Sequence, residues 1–231
     1  MDAIILCGGR AIRMGALCAT TPKALLPVRG RPLLEITLEH LARAGCTRVV
    51  LAVGHLADLV EQWAKTLQGS PVQVVVRRES QPLGTGGAVR EAAPSVARWP
   101  CLVLNGDVLA DVAVNALWRA HRKAAATATI TAVRVPDASE YGALDILPDG
   151  WVLRFREKQP GIGAATINAG WYVLERDALD LVPRSGFSML ERDVFPRLAA
   201  AHRLHGYVHE GCWHDIGTPE RYEAAQRELA R

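Results

Sequence analysis

Apolar residues change their spacing several times along this chain. Ala3-Ile4-Ile5-Leu6, Val49-Val50-Leu51-Ala52-Val53 and Val72 to Val76 are short β-rich runs, the last interrupted by Gln73. Between them, Leu33 to Ala44 and Ala57 to Leu67 carry helical patterns. Such strands alternating with helices predict βαβ units and a mainly parallel sheet covered on both faces. Gly84-Thr85-Gly86-Gly87 opens a further helical stretch through Ala92, and Cys101-Leu102-Val103-Leu104 is the next buried strand, ending at Asn105-Gly106-Asp107. A sharp turn at the carboxyl end of such a strand is where open α/β sheets bind ligands. From Thr127 the texture shifts. Thr127 to Val133, Ala143 to Ile146, Val152 to Arg156 and Asn168 to Leu174 read as strands separated by turn residues, with no long helix between them. This half is expected to add mixed or antiparallel strands that complete the same sheet. A charged helix from Pro219 to about residue 230 closes the chain, with Glu220 in the first turn, where the helix dipole favours an anion. The predicted class is α/β, in three layers around one mixed, mainly parallel sheet.

Composition narrows this picture. The 231 residues, 49% of them hydrophobic, suffice for one large core, so a single domain spanning 1–231 is expected. A formal net charge of +3, with Lys and Arg scattered among Asp and Glu, gives no electrostatic footprint for nucleic acid. It suits phosphorylated small molecules. Cys7, Cys18, Cys46, Cys101 and Cys212 are odd in number and widely spaced, which points to free thiols in a reducing compartment, most simply the cytoplasm. Ala3 to Leu6 is a strand's length of apolar residues, neither a signal peptide nor a membrane span. The sequence leaves open whether the chain forms a homodimer.

Candidate chemistry begins at Leu6-Cys7-Gly8-Gly9-Arg10-Ala11-Ile12-Arg13, directly after the first strand. Glycines there let backbone approach a ligand, successive N–H groups can cradle phosphate oxygens, and Arg13 adds charge. No Gly-Lys-Ser/Thr follows, so this is not a P-loop. The three-glycine dinucleotide pattern is absent too, and Gly54-His55 stands where an oxidoreductase would need an acidic ribose ligand. Next, Thr21-Pro22-Lys23-Ala24-Leu25-Leu26-Pro27-Val28 holds one lysine between prolines on an extended segment, a candidate phosphate ligand. Asp107 follows a buried strand and a glycine, and Asp215 lies between Trp213 and Ile216. A lone aspartate at a strand end, taken without the other motifs, is more readily a helix cap than a metal ligand. His214 beside Asp215 reads as a packed or exposed histidine rather than a ligand.

These segments, with Pro82-Leu83-Gly84-Thr85-Gly86-Gly87-Ala88, Tyr141-Gly142, Arg156-Glu157-Lys158, Asn168-Ala169-Gly170-Trp171-Tyr172 and Trp213-His214-Asp215-Ile216-Gly217-Thr218-Pro219, resemble the sugar-phosphate nucleotidyltransferase family, with the motifs in family order from about residue 3 to residue 223. The resemblance implies a Rossmann-like nucleotidyltransferase fold with a nucleotide half at about residues 1–125 and a sugar half at about 126–231. It implies that a sugar 1-phosphate attacks the α-phosphate of a nucleoside triphosphate, releasing pyrophosphate, with Mg²⁺ held by Asp107 and Asp215. Arg13 is then assigned to the β- and γ-phosphates, Lys23 to the α-phosphate and Lys158 to the attacking phosphate. Leu6, Cys7, Gly8, Gly9, Glu79, Pro82, Gly84 and Thr85 are the further nucleotide-site candidates. Asn105, Gly142, Glu157, Asn168 and Gly170 are those for the sugar. Nucleic acid and membrane are not expected partners.

One departure stands out: Ala11-Ile12 occupies the place where the family carries Gly-Thr/Glu, so a Cβ crowds the phosphate approach and a polar side chain is lost. That motivates a second reading as a nucleotide-sugar-binding regulatory module, against which the retained Lys23, Asp107, Lys158 and Asp215 argue. The stretch Glu79 to Ala88 looks most like that of short heptose 1-phosphate and mannose 1-phosphate guanylyltransferases, which favours GTP and D-glycero-D-manno-heptose 1-phosphate, with mannose 1-phosphate next. A uridylyltransferase acting on N-acetylmuramate 1-phosphate shares much of the stretch. A chain ending soon after Asp215 is expected to lack the fused domains of longer relatives.

Overall fold

A computed structural model describes residues 1–67, 69–156, 158 and 160–229. β1 (Asp2–Cys7) runs into two 3-10 turns, Ile12–Cys18 and Lys23–Leu25. A two-residue hairpin, β2 (Pro27–Val28) and β3 (Arg31–Pro32), leads to α1 (Leu33–Arg43). The alternation continues through β4 (Arg48–Val53), α2 (Ala57–Lys65), β5 (Gln73–Arg78), α3 (Gly84–Ala92) and β6 (Cys101–Asn105). Then come β7 (Val108–Ala110), α4 (Val114–Ala124), β8 (Ala128–Val135), β9 (Ala143–Ile146), β10 (Val152–Arg156) and β11 (Ala165–Leu174). A π-helical turn, Leu190–Val194, passes into α5 (Phe195–Ala200), followed by β12 (Leu204–Val208), β13 (Trp213–Asp215) and α6 (Pro219–Leu229).

Among the described residues nine strands form one sheet, with the path β10-β9-β11-β6-β1-β4-β5 and with β8 and β12 joined through β11. β6, β1, β4 and β5 are parallel, and β11 enters antiparallel to β6. The expected mixed, mainly parallel sheet is therefore present, with helices on both faces. Consecutive residues of β1 show why its sequence is uniformly apolar: Ile4 belongs to a core with Val89, Phe195 and Leu198, whereas Ala3 and Ile5 belong to another with Leu38, Val60 and Leu117. Each fully buried Leu or Ile here contributes on the order of 2–5 kcal/mol against truncation to Ala.

Besides short elements such as β7 and β13, helix α4 and strand β12 were not expected. Helix α4 hides because Val114, Leu117 and His121 are its buried positions, one of them polar. Strand β12, Leu-His-Gly-Tyr-Val, carries a mid-strand glycine and a histidine, yet it pairs in parallel with β8 at the sheet's edge. Among the described residues no helix is long and apolar enough to cross a membrane.

A third apolar cluster positions the site. Met14 and Cys18 from the first 3-10 turn pack with Leu26, Val28, Leu33, Leu109, Ile216 and Ala225. This fastens the loop after β1 to β7, to the residue after β13 and to the closing helix.

Candidate active site

A cavity of about 540 Å³ opens at the carboxyl ends of β1, β4 and β6. Leu6, Cys7, Gly8, Gly9, Lys23, Glu79, Pro82, Gly84, Thr85, Asn105 and Asp107 all line it, so the structure gathers most of the nucleotide-site candidates around one space. Gly106 is the hinge of this arrangement. Its N–H donates to Leu6 O at 3.0 Å, and a Cβ there would stand 2.7 Å from that same oxygen. Only a glycine lets the chain leave β6 so close to β1 and set Asp107 over the first turn.

Lys23 Nζ meets Asp107 Oδ2 at 2.9 Å. Asp215 reaches the same region through the two-stranded pairing of β13 with β7, in which Asp215 faces Val108 and Ile216 N donates to Asp107 O at 3.0 Å. Burial, then the charge of Asp107, pushes the Asp215 carboxyl above the usual range, and Arg221 and Lys23 pull it back. Arg221 Nη1 lies 2.7 Å from Asp215 Oδ2, and its guanidinium stacks 4.7 Å from the Tyr141 ring centre. Burial, then Asp215, raises the Tyr141 hydroxyl to about 12. Two carboxylates thus share one field, each countered by a cation.

That donor set fits a hard cation of the magnesium kind, which takes one or two carboxylates and fills its remaining positions with water and phosphate. Among the described residues no group of three or more His, Cys, Asp or Glu side chains offers a complete protein cage. His214 sits 3.6 Å from Glu228, turned to the closing helix, as a packed histidine should.

Glu79 stands in the cavity wall, half-buried, with Oε2 accepting from Leu83 N at 3.2 Å. Burial is the leading cause that raises its carboxyl. Gly84 lines the cavity at φ +71°, in the left-handed region, and leaves room for Ser188 O where a side chain would stand. Thr85 also lines it, yet its hydroxyl donates to Glu191 Oε2 at 2.6 Å.

Other candidates lie outside this cavity. Arg13 pairs with Glu140 at 3.5 Å and approaches the Gly217 turn after Asp215. Asn168 and Gly170 sit at a break in the register of β11: Gly170 has φ +77°, its N–H donates to Asn168 Oδ1 at 2.9 Å, and Asn168 Nδ2 donates to Tyr172 OH at 2.9 Å. Gly142 O accepts from Asn168 N at 2.9 Å, which ties the second candidate cluster together, and a Cβ on Gly170 would touch Asn105. Lys158 is exposed after β10. Glu157 lies outside the described residues. Ala11 does adopt left-handed backbone, at φ 51° and ψ 37°, and Ile12 projects 81% exposed.

Sequence reasoning missed Arg10, Phe187 and Met189, which line the cavity, and Arg221 on Asp215. Arg10 directly follows Gly9, so its place was readable. Phe187 and Met189 arrive from a distant segment with no periodicity to announce them.

Residues 2–231 match the Nucleotidyl transferase family. The chain belongs to that family. A mannose-1-phosphate guanylyltransferase of Mycobacterium tuberculosis is 34% identical over 233 residues, covering 100% of this chain and 65% of that protein. A mannose-1-phosphate guanyltransferase of Saccharomyces cerevisiae is 33% identical over 227 residues, covering 96% of this chain and 63% of that one. This nucleotidyl transferase chain spans roughly 60–65% of the length of the curated relatives it matches. HddC from Yersinia pseudotuberculosis, solved in complex with GMP-PN, superposes with a TM-score of 0.83 at 27% identity, over 99% of each chain.

Proposed function

We propose that this chain transfers a nucleotidyl group from a nucleoside triphosphate, GTP in preference, to a manno-configured sugar 1-phosphate, with mannose 1-phosphate and D-glycero-D-manno-heptose 1-phosphate the two leading acceptors. The observation that carries the reading is the pairing of Lys23 with Asp107 in the wall of the glycine-lined cavity, with Asp215 close enough to feel both charges. The guanylyltransferase relatives and the GMP-PN complex of HddC support the choice of base.

In this reading the N–H groups from Cys7 to Arg10 face the triphosphate. Lys23 exchanges Asp107 for the α-phosphate and neutralises charge there as pyrophosphate departs, while Arg13 swings from Glu140 towards the outer phosphates. Asp107 and Asp215 would hold Mg²⁺, which, when bound, offsets the repulsion between two anionic substrates. Lys158 grips the attacking phosphate. A phosphate monoester is already ionised at neutral pH, so no side chain has to remove a proton, and the residues act by positioning and charge. Glu79 accepts from N1–H and the exocyclic amine of guanine, a pair that uracil lacks. Free thiols support a reducing, cytoplasmic setting.

The test is pyrophosphate release with Mg²⁺ for GTP, UTP, CTP, dTTP and ATP against mannose, heptose, glucose and N-acetylmuramate 1-phosphates. GTP with a manno-configured acceptor should give the highest kcat/KM. A preference for UTP with N-acetylmuramate 1-phosphate would overturn the choice of base and sugar, and nucleotide binding without turnover would point to a regulatory module.

A further inference from the structure

The turn Gly84-Thr85-Gly86-Gly87 is engaged with protein on one side. Gly86 N and Gly87 N donate to Ser188 O at 2.8 and 3.2 Å. Thr85 Oγ1 donates to Glu191 Oε2 at 2.6 Å and accepts from Leu190 N at 2.8 Å. A threonine hydroxyl has one proton to give, and here it is given to Glu191. The turn therefore fastens the segment 188–191 along the cavity wall, where Met189 is part of the lining.

Glu191 is half-buried and lies in the π-helical turn Leu190–Val194, a rare distortion that is frequent at functional sites. The charge of Glu191 also reaches Tyr172, whose hydroxyl is pushed up first by burial and then by that charge. The Tyr172 hydroxyl accepts from Asn168 at the register break of β11. Asn105 joins this cluster and lines the cavity, and its Oδ1 is buried with no hydrogen-bond partner among the described residues. Glu191 is thus held directly by one cavity-lining residue, Thr85, and its charge reaches the Tyr172 hydroxyl, which the side chain of cavity-lining Asn105 also meets. A carboxylate and an unpartnered amide oxygen both accept, so what they fit is a ligand rich in O–H donors. Phosphates offer none at neutral pH, whereas a sugar ring offers several.

We propose that Glu191, oriented by the Thr85 hydroxyl, reads ring hydroxyls of the acceptor sugar and sets its selectivity. This rests on the sugar 1-phosphate reading above. Glu191 is a binding residue in this scheme and Thr85 a positioning residue.

Steady-state kinetics with each substrate varied in turn test it, using the wild type, Glu191→Gln, Thr85→Val and Thr85→Ser, with melting curves to verify folding. Glu191→Gln should raise KM for mannose 1-phosphate about tenfold and flatten discrimination against its deoxy analogues, while KM for the triphosphate stays within about twofold. Thr85→Val should move the same parameters in the same direction, and Thr85→Ser should restore them. An active wild type whose Glu191→Gln variant keeps its sugar KM and selectivity overturns the inference and leaves the functional reading intact. A parallel rise in both KM values also overturns it, as a structural effect. No turnover by wild type with any acceptor overturns both.

Discussion

Gly106→Ala bears on the joint that sets Asp107 over the first turn. A Cβ at position 106 would stand 2.7 Å from Leu6 O, and ordinary contact begins at 3.4 Å, so the two strands must separate by about 0.7 Å. Leu6 O belongs to the central strand β1, paired on both sides with β4 and β6, and has little freedom to retreat. Overpacking of this kind costs about 1–3 kcal/mol, which for a chain of this size lowers Tm by roughly 2–12 °C. The same displacement moves Asp107 away from Lys23 and Asp215. A misplacement near 1 Å costs on the order of 100-fold in rate, so kcat/KM should fall by about 10- to 100-fold. Differential scanning fluorimetry and a coupled pyrophosphate assay on the purified variant read both effects. Unchanged Tm together with wild-type kcat/KM would refute the claim that close passage of β6 against β1 builds the site.

Asp215→Asn addresses charge. A carboxyl raised above its usual value binds its proton more readily in the folded state, so its stabilising effect is complete in acid. That effect is lost as pH rises from about 4 through the raised folded value. In chelator, the Tm of the wild type relative to this variant should therefore decline as pH goes from about 4 to 7, and a rising difference would contradict the coupling to Asp107. Lys158→Ala should raise KM for the sugar phosphate with the triphosphate KM nearly unchanged. The reverse split, read in the same kinetics, would mean the two half-sites are exchanged. Glu79→Gln should erode the preference for GTP by about 1–3 kcal/mol in competing-substrate kinetics, and an unchanged preference would make Glu79 a wall residue only. Ala11→Gly removes a left-handed penalty of about 1–2 kcal/mol and adds unfolded-state entropy worth about 0.4–1 kcal/mol. Tm should hold or rise by a few degrees, and a clear fall would show that the loop depends on the Ala11 side chain.

Strands β1, β4 and β6 of the parallel half were legible because each is buried on both faces and so cannot alternate with polar residues. Lys23, Asp107 and Asp215 were legible as chemistry, and their meeting only through the family resemblance: in the structure it depends on β13 pairing with β7, elements of three residues each, too short for any period to register. Gly84 and Thr85 were read as nucleotide-site candidates, and both line the cavity. The structure shows Gly84 making room for Ser188 and the Thr85 hydroxyl spent on Glu191, partners about a hundred residues away that no local pattern connects. Ala11 was singled out because a Cβ there crowds the phosphate approach; its left-handed backbone is a separate feature that no sequence pattern announced.

In the proposed reaction a sugar 1-phosphate oxygen attacks the α-phosphate of a nucleoside triphosphate beside Lys23 and Asp107. Turnover of GTP with mannose 1-phosphate carrying ¹⁸O in its phosphate, followed by mass spectrometry of all products, tests this attack. The predicted result is a nucleotide sugar that keeps every labelled oxygen in its diphosphate, released together with unlabelled pyrophosphate. Labelled inorganic phosphate, or GMP formed with no nucleotide sugar, would contradict it.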